Sequence, residues 1–329
     1  MIVFINYLKF VATVLITNSH FGDIWPISAL ASGGLLGNII FFAVSGYLLF
    51  NIKDGFPKWF SKRFFRVYPA MAAFTLIAVA IGEYSLNSFS DAFKLFIYPT
   101  NYVFLVWLVV CYCVYYGIMY MYIRFVNKNG KNSSFIEITM LIILAAWITV
   151  YVLFCDKSVY SVDNVSEPFI LFLYIESMLL GAFFRKNKER FEKFSFSRLT
   201  LAVLSFAVYI VSKILFSKVQ TLLSVQLLNQ FVIFITLFFT FSLFISLENV
   251  LKKIPDGVNN CVKYISNITL QIYIVQFVII EHFEELMFPL NFVVVVLLIL
   301  AAASALYYVE ILIRKMVGFS VKRFKEVTN

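Results

Sequence analysis

A row of polar residues near the start of the chain has side chains and spacing that could do chemistry. Asn6, Lys9, Thr13, Thr17 and His20 follow one another at intervals of three, four, four and three residues. At 100° per residue, these intervals place all five side chains on one side of a helix. An imidazole titrates near neutral pH, so His20 is suited to accept a proton from a hydroxyl group. We call these five residues the polar stripe.

The sequence around the polar stripe is apolar enough to lie in a membrane. The chain has 329 residues, of which 62% are hydrophobic and 14% charged, and its mean hydropathy is +0.89. Its apolar stretches of about 18 to 22 residues are long enough to cross a hydrocarbon layer as helices. A lysine within such a helix costs about 2.5 to 3.5 kcal/mol, so Lys9 should face the bundle interior or a watery cavity.

Ten apolar segments are predicted to span the membrane as one bundle, which makes the chain an all-α integral membrane protein. No connection is long enough to form a soluble domain, so residues 1–329 are expected to form a single transmembrane domain. The predicted spans are approximately 3–20, 34–51, 67–84, 101–123, 136–154, 168–184, 199–216, 227–247, 264–283 and 291–312.

Positive charge is distributed unevenly between the two sides of these spans. Most of the 27 Lys and Arg residues fall in alternate connections, including a basic turn at 51–66. By the positive-inside rule these connections are cytoplasmic, and so are both termini. Membrane orientation therefore accounts for the net charge of +9, and a nucleic-acid-binding surface is the weaker explanation.

Three other ionisable groups lie at or near membrane depth. Glu310 lies one turn from Arg314, which predicts a structural ion pair. Glu176 has no evident partner in the sequence and could line the cavity. His282 is the second of two histidines, and its place at the end of the ninth predicted span favours the membrane interface.

Several short motifs match a known family in their order and spacing. FFAVSGYLLF at 41–50 and KRFFRVYP at 62–69 follow the polar stripe, with Tyr68 and Pro69 starting the third span. ISNITLQIYIVQ at 265–276 and ALYYVEILIRK at 305–315 come near the end. Together these motifs resemble acyltransferase family 3, whose multi-span membrane enzymes include bacterial O-acetyltransferases of O-antigen, capsule and exopolysaccharide. The middle of the chain agrees with that family only in its hydropathy.

The resemblance implies roles for individual residues. Lys9 and His20 match the family's basic residue and histidine eleven positions apart, which would make both catalytic. Arg63 and Arg66 match an Arg-x-x-Arg pair that would bind acyl-CoA, and guanidinium groups suit phosphate oxygens. Taken by charge alone, the two arginines would be ordinary positive-inside residues. Residues that could line the cavity or bind the acceptor are Asn6, Thr13, Thr17, Asp23, Trp25, Ser45, Tyr68, Glu176 and Gln276.

The sequence departs from the commoner family pattern at three positions. Lys9 stands where arginine is frequent, Asn6 where aspartate is frequent, and Gln276 where histidine is often found. These departures suggest a branch that acts on polysaccharides, and they leave the role of Gln276 open.

The implied activity is transfer of an acyl group, expected to be acetyl, from cytoplasmic acyl-CoA to a hydroxyl of a surface polysaccharide or its lipid-linked precursor. His20 would act either as a general base or by carrying the acyl group briefly as an acyl-imidazole. The expected cofactor is acetyl-CoA or another short acyl-CoA, with no metal and no nucleic-acid partner. The expected location is the bacterial cytoplasmic membrane, and the sequence does not indicate an oligomeric state.

A transporter is the alternative that the same polar groups would allow. A flippase for a lipid-linked oligosaccharide, or a carrier of a small solute, also needs polar residues within the membrane. Such flippases usually have two related halves and more spans, and polysaccharide polymerases usually have a long outer loop. The sequence shows neither feature, which favours the acyltransferase.

Overall fold

The computed structural model describes residues 2–97, 103–129, 134–158, 169–283 and 287–316, and its longer elements are all α-helices. We number the helices of more than ten residues along the chain. They are α1 (Val3–Ser19), α2 (Gly34–Leu48), α3 (Phe56–Ala80), α4 (Val103–Asn129), α5 (Phe135–Phe154), α6 (Ile170–Lys186), α7 (Phe196–Lys218), α8 (Leu227–Ser246), α9 (Asp256–Asn267), α10 (Thr269–His282) and α11 (Leu290–Met316).

Each predicted apolar segment overlaps an α-helix in the described ranges, although the segments 34–51 and 67–84 extend beyond their helices and the ends at 101, 102 and 168 lie outside those ranges. Six of these helices, α3, α4, α5, α7, α8 and α11, are long and apolar enough to cross a membrane. A seventh span results if α9 and α10, which meet at 68°, count as one. Helices α1, α2 and α6 have only 15 to 17 residues. The count of ten spans and the cytoplasmic termini therefore stay predictions.

The prediction of a basic turn at 51–66 was wrong for most of its length, because α3 begins at Phe56. Pro57 lies in the first turn of this helix, where a proline is favourable because that N–H has no partner within the helix. Tyr68 and Pro69 were expected to start the third span but lie inside the helix, where Pro69 removes one backbone hydrogen bond. The Arg-x-x-Arg pair is therefore helical.

The ninth predicted span, 264–283, was also wrong as a single helix. It is broken at Ile268, and α9 begins earlier than predicted, at Asp256. The Thr269 hydroxyl donates to the carbonyls of Ile265 and Ser266, each at 3.2 Å, and the Ser266 hydroxyl donates to the Lys263 carbonyl at 2.9 Å. Such side-chain bonds to the backbone bend helices, and here they accompany the break.

Helices α2 and α6 pack with their backbones in close contact. A Cβ added at Gly46 would lie 1.9 Å from the Met178 carbonyl oxygen, and one added at Gly181 would lie 1.9 Å from the Ala43 carbonyl oxygen. On its other side α2 meets α1, where a Cβ on Gly37 would lie 2.7 Å from the Ala12 carbonyl oxygen. Glycine is what lets membrane helices approach so closely. As a result, α2 is held between α1 and α6.

We expect Gly181→Ala to lower the free energy of unfolding by about 1 to 3 kcal/mol, because the added Cβ overlaps the Ala43 carbonyl and pushes α2 away from α6. Gly117→Ala is the matched control in α4, since a Cβ at Gly117 meets no atom within 4 Å. Thermal unfolding of the purified proteins in detergent measures the difference. Equal stability of the two variants would contradict the close contact of α2 with α6.

Candidate active site

The polar stripe of α1 packs against the break between α9 and α10. The Lys9 ammonium donates to the Ser266 carbonyl oxygen at 3.1 Å, and the Ser266 hydroxyl donates to Asn6 Oδ1 at 3.2 Å. The hydroxyl oxygens of Thr13 and Thr269 lie 3.1 Å apart. The inner part of the stripe therefore meets polar atoms at a place where the opposite helix is interrupted.

The partner of Lys9 explains how a lysine is accommodated in this helix. Ser266 lies in the last turn of α9, where carbonyl groups lack partners within the helix and carry the negative end of its dipole. An ammonium group near such an end is stabilised by charge as well as by the hydrogen bond. Lys9 thus faces the bundle interior, as the cost of a lysine in lipid requires.

The outer part of the stripe is held by two consecutive residues of α10. The Thr17 hydroxyl donates to Gln276 Oε1 at 2.9 Å, and the Gln276 side chain is fully buried. The next residue, Phe277, packs edge-on against the His20 imidazole, with ring centroids 4.5 Å apart. Sequence reasoning missed Phe277, because one phenylalanine among 39 looks like ordinary packing.

Two residues proposed to work beside His20 lie elsewhere. Asp23 is exposed, and among the described residues no hydrogen bond or ion pair joins it to the imidazole. The Trp25 indole N–H donates to Asn18 Oδ1 at 2.9 Å, and its ring packs against Phe292 with centroids 5.0 Å apart. Within the described chain, Phe277 of α10 contacts the imidazole and no carboxylate bonds to it.

The two arginines of the Arg-x-x-Arg pair differ in their surroundings. Arg63 donates to the Trp59 carbonyl oxygen at 2.8 Å, and its guanidinium lies over the Trp59 ring at 4.5 Å from the centroid. Arg66 is exposed, and within the described chain its guanidinium forms no hydrogen bond or ion pair. Its charge lies close enough to repel that of Lys9. Of the two arginines, Arg66 therefore acts electrostatically on the polar stripe, through Lys9.

The carboxylate of Asp54 forms ion pairs with two lysines of α3. The ammonium groups of Lys62 and Lys58 lie 2.6 Å and 3.0 Å from its oxygens. Hydrogen bonds from Lys62 and then Lys58 hold the pKa of Asp54 below its usual value. Asp54 thus stays ionised and paired with lysines, whereas the charge of Arg66 remains available to an anion.

Comparison with known proteins gives one match along most of the chain. The family model described as an acyltransferase domain, that of acyltransferase family 3, matches residues 2–309. The chain belongs to acyltransferase family 3. No curated protein and no solved structure matches it. The match includes the middle of the chain and confirms the resemblance inferred from the motifs at its two ends.

The acyltransferase forms the ion pair predicted between Glu310 and Arg314, and Gln271 also bonds to Glu310. Gln271 Nε2 in α10 donates to the other oxygen of the Glu310 carboxylate. Both members of the ion pair are largely buried in the bundle. Gln271 was not singled out in the sequence, because nothing in its local pattern indicates a partner 39 residues further along the chain.

The remaining candidate residues are not gathered around His20. Glu176 is buried in α6, and its Oε1 has no hydrogen-bond partner in the described ranges. Ser45 is half-buried in α2, and Tyr68 stacks on Phe64 with ring centroids 4.8 Å apart. Within the described chain, neither hydroxyl bonds to the polar stripe.

His282 ends α10, is exposed, and lies 3.2 Å from the Glu83 carboxylate. This position lies outside the polar stripe, and its predicted place at the membrane interface stays a prediction. The acyltransferase thus has one histidine on the stripe and another that can serve as its control.

We expect Thr17→Val to lower the free energy of unfolding by about 1 to 3 kcal/mol, because the buried Gln276 amide would lose the one hydrogen bond that it forms among the described residues. Thr17→Ser keeps a hydroxyl and should restore most of the loss. Thr149→Val is the control, since that exposed hydroxyl bonds only to the backbone of its own helix. If unfolding of all three in detergent gave the same midpoint, the contact between α1 and α10 would not contribute to stability.

Proposed function

We propose that this acyltransferase moves an acetyl group from cytoplasmic acetyl-CoA to a hydroxyl of a cell-surface polysaccharide or of its lipid-linked precursor. The observation that carries the proposal is the polar stripe from Lys9 to His20, with the charge of Arg66 acting on Lys9, in a member of acyltransferase family 3. Lys9 and His20 are separated by about 16 Å along the helix axis, about half of a hydrocarbon layer. The two ends can therefore serve reactants that arrive from opposite sides.

In this proposal the chain crosses the bacterial cytoplasmic membrane ten times, with both termini inside. Helices α1 and α2 are shorter than a full span, but their buried residues belong to the main core of the bundle. Short helices are acceptable there, because protein surrounds them and their ends can bond to other side chains. The distribution of lysine and arginine then places Arg63 and Arg66 on the cytoplasmic side.

The donor would bind with its phosphates at Arg63 and Arg66. A guanidinium makes short, charge-assisted hydrogen bonds to phosphate oxygens, often two at once. Arg63 is held in place by Trp59, while Arg66 is exposed. The flexible arm of acyl-CoA would then reach from the arginines towards His20. Lys9, fixed on Ser266, would order the inner part of this path and add positive charge to it.

At the outer end, His20 would take the proton of the acceptor hydroxyl while that oxygen attacks the thioester carbonyl. Collapse of the tetrahedral intermediate breaks the carbon–sulfur bond, and the thiolate leaves and takes up the proton. In the second version the imidazole attacks first, releases CoA, and passes the acetyl group to the hydroxyl. Both versions need a neutral imidazole that the protein holds in place, and Phe277 and α10 do so here.

We expect His20→Gln to reduce transfer of radiolabelled acetyl from acetyl-CoA to the glycan fraction of membranes by at least about a hundredfold, the usual contribution of a general base. His282→Gln removes the other histidine and should retain activity. Folding of both variants is checked by size-exclusion chromatography. Normal transfer by folded His20→Gln would end the catalytic assignment, and a wild-type protein that labels no glycan would favour transport.

Arg63→Gln and Arg66→Gln should each weaken acetyl-CoA binding about tenfold, the usual size for one charged hydrogen bond. Lys62→Gln is the control, because Lys62 directly precedes Arg63 in α3 and its charge is paired with Asp54. Isothermal titration of the proteins in lipid nanodiscs measures the three dissociation constants. If Lys62→Gln weakened acetyl-CoA binding equally, the arginines would be ordinary positive-inside residues and not a donor site.

A further inference from the structure

The turn of α3 that carries Arg66 is weakened by a proline. Pro69 lies three residues after Arg66 and has no N–H to donate to the carbonyl of Phe65. A proline inside a helix costs about 3 kcal/mol and tends to kink it. A hydrogen bond from outside the helix would therefore stabilise the backbone beneath the Arg66 guanidinium.

Arg314 of α11 supplies that support. Its Nη2 donates to the backbone carbonyl oxygen of Arg66 at 2.9 Å, so the last helix reaches directly into the weakened turn of α3. A guanidinium bonded to a carbonyl oxygen makes a charge-assisted hydrogen bond, which is stronger than one between neutral groups. Only 15% of the Arg314 side chain is exposed. Arg314 therefore bonds to the Arg66 backbone from inside the bundle.

The positive charge of Arg314 is balanced inside the bundle. Glu310, whose side chain is 5% exposed, forms an ion pair with Arg314 and accepts a hydrogen bond from Gln271. Glu310 also attracts Arg66 at longer range, but it contacts Arg314. Glu310 thus balances the charge of Arg314, and Gln271 helps to fix the position of Glu310.

The cluster contains more cationic than anionic side chains. Arg66 acts electrostatically on Lys9, Arg63 and Arg314, while Glu310 acts on Arg66 and Arg314, and Asp54 acts on Arg63. Because Glu310 is paired with Arg314, the charge of Arg66 is left for an anion. The location of Arg66 next to the end of the polar stripe fits a phosphate of the donor.

We infer that Arg314 is a positioning residue for donor binding: together with Glu310 and Gln271 it holds the turn of α3 so that Arg66 presents its guanidinium to a donor phosphate. This inference rests on the proposed function, because it takes acetyl-CoA as the ligand of Arg66. It goes further by giving a role to a buried network that contains neither a catalytic residue nor a member of the Arg-x-x-Arg pair.

The test removes the ion pair without leaving a buried charge behind. Arg314→Gln alone would strand the Glu310 carboxylate, so Glu310→Gln and Arg314→Gln are combined in one protein. We expect this paired variant of the full chain in nanodiscs to raise both the dissociation constant and the KM for acetyl-CoA about tenfold, with kcat unchanged. Lys315→Gln, which removes an exposed charge at the next position, should change none of these values.

A second measurement asks whether Arg314 acts through Arg66. Arg66→Gln is made alone and together with the paired variant. If the network serves to position Arg66, the combined protein should bind acetyl-CoA no more weakly than Arg66→Gln does, because the two effects share one cause. If the combined protein instead bound acetyl-CoA more weakly than Arg66→Gln by the full factor seen in the paired variant, the inference would be overturned. So would a paired variant that no longer elutes as folded protein, because the network would then support the whole bundle.

The outcomes separate this inference from the proposed function. If wild-type protein does not bind acetyl-CoA, the proposed donor is wrong and the inference fails with it. If Arg66→Gln weakens binding while the paired variant binds normally, the donor site stands and only the positioning role of Arg314 fails.

Discussion

The interaction on which the rest of this structure depends is the contact between the Lys9 ammonium and the end of α9. A charged group in the first helix must have a polar partner within the bundle, and the break at Ile268 provides one by ending α9 at the Ser266 carbonyl. The break in turn turns the chain by 68° and sets the direction of α10. Helix α10 then runs along the polar stripe and contacts His20. The break at Ile268 therefore both provides a partner for Lys9 and brings Phe277 to His20.

Helix α10 connects the two ends of the candidate site. Its 14 residues include Gln271, which holds Glu310 near the arginines, and also Gln276 and Phe277, which contact α1 near its outer end. Groups that would handle the donor phosphates and the acceptor hydroxyl are thus supported by one short, rigid element. The close packing of α2 between α1 and α6 supports α1 from its other side, so the polar stripe is held on two sides.

Much of this architecture follows from patterns within single helices. The apolar segments, the shared face of the polar stripe and the ion pair between Glu310 and Arg314 all reflect spacing at the helical period, which local sequence fixes. The basic segment at 51–66 was misread because positive charge indicates the side of a membrane and not the absence of a helix. The break at Ile268 was missed because the hydropathy of 264–283 is continuous, while the hydroxyl bonds to the backbone that accompany the bend leave no mark in hydropathy.

By itself, the sequence determined that this is a helical membrane protein with a polar first helix, and its motifs led to the acyltransferase family. Only the tertiary structure decided what the polar residues touch. Phe277 meets His20, and Arg314 meets the Arg66 backbone, across separations of more than two hundred residues. Periodicity places side chains around one helix axis, but which helices become neighbours, and at what height, is set by packing of the whole bundle.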